Sequence, residues 1–133
     1  MPAHAPLDNI RLCGYKNYME NIARLFKALS EPVRLRILLL LLDKERCVCD
    51  LMAVLDLPQS TISRHLAYLK NAGWIKGERR GVWMYYQLTK KTDAFQDQLR
   101  RILAASLPHT EQGVADVQRL RSYLLEKKGN ACQ

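Results

Sequence analysis

The sequence predicts a mostly α-helical chain with a single small β-hairpin, and three observations carry that expectation. Helix formers (Leu, Ala, Lys, Arg, Gln, Glu) dominate the 133 residues, and apolar positions recur at helical spacing. The β-branched and aromatic residues concentrate in one short stretch, 74–88. No linker is long enough to divide the chain, and 48% hydrophobic with 26% charged residues is ordinary for a globular protein. The chain is long enough to bury one core without needing disulfides or a structural metal.

Residues 1–14 hold two prolines and little periodicity, which predicts an extended arm. From Tyr18 to Leu29 the positions Ile22, Leu25, Phe26 and Leu29 recur at helical spacing. Ser30-Glu31-Pro32 restarts the chain, with Ser30 as N-cap and Pro32 in the first turn of a core helix ending near Asp43-Lys44-Glu45. A short helix is predicted over Val48 to Leu55, and Asp56-Leu57-Pro58 is a turn. Gln59 to Lys70 forms the next helix, stopped at Asn71-Ala72-Gly73 with glycine where a helix C-terminus favours it. Trp74-Ile75-Lys76 and Val82 to Leu88 are strands around the basic, hairpin-like Gly77-Glu78-Arg79-Arg80-Gly81. Two further helices, 92–107 and 111–127, are separated by Pro108. The expected organisation is an arm (1–14), a central domain (15–107) and a C-terminal helical extension and tail (108–133).

MPAHAPLDNI lacks the basic start and apolar core of a secretion signal. The run Ile37 to Leu42 is far short of a membrane span, which needs about 20 residues. The expected location is the cytoplasm, with no membrane partner. Thiols stay reduced there, so Cys13, Cys47, Cys49 and Cys132 suggest metal binding, redox sensing or core packing rather than a disulfide framework.

The net charge is +8, and its placement is informative. Between 58 and 91 stand Arg64, Lys70, Lys76, Arg79, Arg80, Lys90 and Lys91 against Glu78 alone, a density suited to a polyanion. On the helix from Gln59, Leu66 and Leu69 fall within about 40° of Ile62, so these three face the protein. Ser60, Thr61, Arg64 and Tyr68 then point away, with Gln59 at the helix start and Ser63 and His65 on the flanks. Short hydroxyls, an arginine and a tyrosine suit a helix laid in the major groove of duplex DNA. Arg79 and Arg80 can follow phosphates or enter the adjacent minor groove. Helix, turn, polar-faced helix and basic hairpin, in that order, make a winged helix-turn-helix.

Ser30-Glu31-Pro32-Val33-Arg34-Leu35, Cys47-Val48-Cys49-Asp50-Leu51, Gln59 to Leu66 and Arg79-Arg80-Gly81 together resemble the ArsR-type metalloregulatory repressors over about Tyr18 to Leu107. The resemblance implies a homodimer joined through the first and last family helices. It also implies a repressor that leaves an inverted-repeat operator when an inducer binds, with Gln59–Leu69 as recognition helix and Lys76–Leu88 as wing. In that family CVCDLC at the start of the preceding helix binds arsenite and antimonite. Cys47 and Cys49 match its first two cysteines, but Met52 stands at the third. Trivalent arsenic prefers thiolates, which an uncharged thioether does not replace.

Three completions stay open. Cys13 can act as third ligand, Cys132 can do so from the other end, or a two-thiol site holds arsenic with a hydroxide or an organic group. Residues 92–107 carry Asp93 and Asp97 but no histidine, and His4, His65 and His109 lie elsewhere, unlike the zinc- and cobalt-sensing relatives. Buried cysteines also serve as small hydrophobes, and a first-turn Asp50 as a helix acid. On a regular helix positions i and i+2 lie about 200° apart. A shared ligand therefore requires Cys47 to precede the helix, or the first turn to unwind.

Two other readings remain. The thiols can sense oxidants or persulfides by pairing, or the chain can be a protein-interaction module with a basic surface. No arrangement of nucleophile and base, phosphate loop or paired carboxylates points to an enzyme. No permanent cofactor is expected, only As(III), or Sb(III), as inducer.

Overall fold

The computed structural model describes residues 12–127. The elements run α1 (Leu12–Leu29), α2 (Pro32–Leu40), β1 (Arg46–Cys47), α3 (Val48–Leu55), α4 (Gln59–Ala72), β2 (Ile75–Arg80), β3 (Trp83–Leu88), α5 (Ala94–Ser106), a 3-10 turn (Leu107–His109) and α6 (Glu111–Lys127). α1 begins at Leu12, earlier than the expected Tyr18.

Cap chemistry sets the start of α2, though not at the expected residue. Glu31, not Ser30, is the N-cap: it is extended, and its carboxylate accepts from the Val33 and Arg34 amides at 2.7 and 3.2 Å. Ser30 instead donates its hydroxyl to the Lys27 carbonyl at 2.8 Å and closes α1. The C-terminal half of α2 is apolar all round, and Ile37, Leu38, Leu39 and Leu40 are all buried, as befits a central helix.

Around it pack Leu25 and Ala28 of α1, Leu51, Val54 and Leu55 of α3, and Ile62, Leu66 and Leu69 of α4. Trp74, Ile75 of β2 and, from α6, Leu120 join the same core. Truncating one such leucine to alanine costs about 2–5 kcal/mol. α4 ends where Gly73 adopts φ 94°, and its amide bonds back to the Leu69 and Lys70 carbonyls. That turn drives Trp74 inward, where its indole N–H donates to the Leu25 carbonyl at 3.1 Å.

The hairpin is joined by a strand the sequence did not announce. The antiparallel sheet has the order β1-β3-β2, with Cys47 opposite Tyr85 and Arg46 opposite Tyr86. β2 continues through Arg79 and Arg80, and Arg80 pairs with Trp83, so only Gly81 (φ 64°) and Val82 make the turn. Gly77 is therefore a strand residue, not a turn residue. A Cβ there would meet the Tyr86 ring at 2.8 Å.

α6 lies across α2 and α3. Its Asp116 is fully buried and takes a two-pronged bond from Arg36 at 2.8 and 2.9 Å. Among the described residues no helix is long and apolar enough to cross a membrane.

Candidate nucleic-acid interface and thiol site

α4 has the two faces its sequence spacing requires. Ile62, Leu66 and Leu69 are buried, while Gln59, Ser60, Ser63, Arg64 and Tyr68 are exposed and Thr61 is half-buried. Leu51, Val54 and Leu55 of α3 lie in the same core, so α3 braces α4 from behind.

His65 is a correction to the expected flank: it is only 7% exposed. Its Nδ1 lies 3.3 Å from the Arg34 guanidinium, so that nitrogen must be the acceptor. Burial, with Arg34 and Arg64 nearby, lowers its pKa and outweighs the opposing effect of Glu31. The ring is held neutral and inward. The same Arg34 stacks on Tyr68 at 4.1 Å, which leaves the other side of that tyrosine outward.

The two wing arginines differ. Arg79 is exposed. Arg80 makes a two-pronged pair with Glu45 at 2.6 and 2.8 Å, touches Glu78 at 3.0 Å, and lies over the Tyr85 ring at 4.6 Å. The guanidinium raises its own pKa by these bonds and holds Glu45 below the usual carboxylate range. Arg80 is thus latched to the segment leading into Cys47, and reaches a phosphate only by exchanging Glu45 for it.

Cys47 sits ahead of the helix, in the first of the two arrangements the spacing allowed. It is the N-cap of α3, with φ −85° and ψ 165°, and also the last residue of β1. Cys49 is the second helical residue, 5.4 Å away between Cα atoms, and the two sulfurs are paired as a disulfide. Cys47 is fully buried and Cys49 half-buried. A cleft of about 530 Å³ opens beside Cys49, lined also by Met52, Ala53, Leu57 and Pro58. Met52 is half-buried and packs against the core. The side chain of Cys13, and all of Cys132, lie outside the described residues.

Asp50 was expected only as a helix acid, and the structure gives it more to do. It is 4% exposed. Oδ2 accepts the Cys47 amide at 3.0 Å, and Oδ1 accepts the Tyr123 hydroxyl at 2.9 Å and the Lys127 ammonium at 2.7 Å. Donor atoms of Cys47, Cys49 and Asp50 all lie within 4.8 Å of one another. The signal for Asp50 was its place three residues after the cap, where a carboxylate reaches back to the cap amide. Nothing local pointed to Tyr123 or Lys127.

The pattern described as "Bacterial regulatory protein, arsR family" matches residues 31–76. The chain is 38% identical over 92 residues to the arsenic resistance transcriptional regulator ArsR2 of Pseudomonas putida, covering 68% of this chain and 77% of that one. It is 41% identical over 69 residues to a cadmium resistance transcriptional regulatory protein, a CadC homolog, of Staphylococcus aureus, covering 51% and 57% of the two chains. The fold is similar to the homodimeric winged helix-turn-helix DNA-binding domain of a possible ArsR-family regulator from Mycobacterium bovis. The TM-score is 0.59 at 27% identity, over 84% of this chain and 88% of that one.

Proposed function

Because this chain belongs to the ArsR family of bacterial DNA-binding transcriptional regulators, we propose that it is a homodimeric repressor which leaves its inverted-repeat operator when trivalent arsenic bonds Cys47 and Cys49. The observation that carries this reading is the convergence of the two sulfurs at the start of α3. Two thiols brought together by an extended cap residue suit a thiophilic centre that bridges them, with no unwinding of the helix. Antimonite fits the same chemistry. A third donor from Cys13 would add one more bond.

Gln59, Ser60, Thr61, Ser63, Arg64 and Tyr68 would then meet the major groove, with Arg79 and Arg80 on the flanking phosphates. Two routes link the thiols to that surface. α3 packs against α4, and the Cys47 backbone is paired with wing strand β3. A ligand that shifts Cys47 therefore acts on recognition helix and wing together, and DNA must oppose the ligand equally. Homodimer formation is supported by apolar side chains left outward on α1 and α5, where Phe26 meets Phe95 edge-on at 5.9 Å. A regulator of this kind works in the cytoplasm.

A second reading has an observation of its own: Cys47 and Cys49 are paired in the structure, so an oxidant or persulfide would act through the same residues. Operator release measured by fluorescence anisotropy separates the two. Reduced protein is titrated with arsenite, antimonite, cadmium ion, peroxide and polysulfide. We expect arsenite to release the DNA, and Cys47→Ser and Cys49→Ser to bind DNA normally yet resist arsenite. Release by peroxide or polysulfide but not arsenite transfers the function to redox sensing, and release by cadmium alone makes the inducer a divalent cation. Cys13→Ser resistance would give the site its third sulfur.

A further inference from the structure

We propose that the C-terminal turn of α6 is a working part of the thiol site, with Tyr123 and Lys127 as positioning residues that act through Asp50. The reading rests on Cys47 and Cys49 as the ligand-binding pair. One carboxylate joins the parts: Oδ2 holds the Cys47 amide, and Oδ1 is held by Tyr123 and Lys127. The amide it holds belongs to the residue whose extended backbone turns its sulfur toward Cys49. Asp50 is buried, so its charge needs these donors to stay there.

The donors suit the task. Burial, and then the bond to Asp50, push the Tyr123 hydroxyl up to about 12, so it remains a proton donor at any working pH. The Lys127 ammonium also lies 5.8 Å from the centre of the Tyr123 ring, so the two side chains brace each other. α6 itself is fixed independently at its other end by the buried Arg36–Asp116 pair and by Leu120 in the core. That anchoring lets its last turn serve as a fixed point for Asp50 rather than follow it. Groups that orient a ligating residue from one shell out are worth about 10–100-fold in affinity.

Phenylarsine oxide serves as the probe, because it bonds two thiols whatever the natural inducer is. Binding to reduced full-length protein is compared for wild type, Tyr123→Phe, Lys127→Met and Lys127→Arg. Leu25→Ala, a core truncation on α1 with no bond to Asp50, serves as a control for lost stability. We expect about tenfold or more weaker binding for Tyr123→Phe and Lys127→Met, near-normal binding for Lys127→Arg, and an unchanged Leu25→Ala. Folded Tyr123→Phe and Lys127→Met proteins that bind as wild type does would overturn the proposal, as would an equal loss in Leu25→Ala. If wild type binds the probe without releasing DNA, the proposed function fails while the role of α6 stands.

Discussion

His65 and Asp50 show how a residue's neighbours decide its task. His65 carries a ring that duplex DNA could use, yet Arg34 and the core hold it neutral and inward. Its folded pKa is lowered, so between about 6.5 and that depressed value the unfolded chain binds the extra proton. Stability should therefore fall as pH drops below about 6.5. Thermal unfolding between pH 7.5 and 5 checks this, and His65→Gln should flatten the slope in that window. An unchanged slope would mean that the histidine titrates alike in both states. Asp50 shows the converse: a side chain at an ordinary helix-start position becomes the link between a sulfur-bearing backbone and a distant helix.

At the scale of elements, α4 is defined by its ends as much as by its face. Gly73 in the left-handed region stops α4 and aims Trp74 into the core, and β2 follows at once, so the wing's position depends on that turn. Gly73→Ala meets open space but is strained by its φ of 94°, at about 1–2 kcal/mol. The melting temperature should drop by about 3–8 °C, with the helical signal retained in circular dichroism. No measurable drop would show that the turn can relax. The hairpin taught a different lesson. Glycines at 77 and 81 suggested a five-residue tip, but only Gly81 turns. Gly77 is needed because the Tyr86 ring covers it. A glycine that frees the backbone and one that makes room for a neighbour look alike in sequence.

At the scale of the whole molecule, α5 has helical periodicity but no buried residue, and α1 leaves Tyr18, Met19 and Phe26 exposed. An amphipathic helix with an uncovered apolar face is what an interface between copies requires. Ile102, 58% exposed on α5, tests this. Ile102→Glu should sediment as a monomer and, with the proposed inverted-repeat operator, lose roughly a hundredfold or more of affinity, because two half-sites would no longer be bound as one. A dimer that survives would place the interface elsewhere.

Local spacing by itself determined the helix-turn-helix. The three-and-four repeat of Ile62, Leu66 and Leu69 fixed which face of α4 is buried, and with it the outward row of Ser60, Ser63, Arg64 and Tyr68. It also limited Cys47 and Cys49 to two arrangements. The choice between them belonged to the tertiary structure. Cys47 is extended because β1 pairs with β3 of the wing, and because Asp50, itself held by α6, bonds its amide. Those partners lie far along the chain, and a buried charge or a strand two residues long gains its stability only when they arrive. Periodicity records what a segment does with its own neighbours. The meeting of two sulfurs depended on contacts that only the folded chain makes.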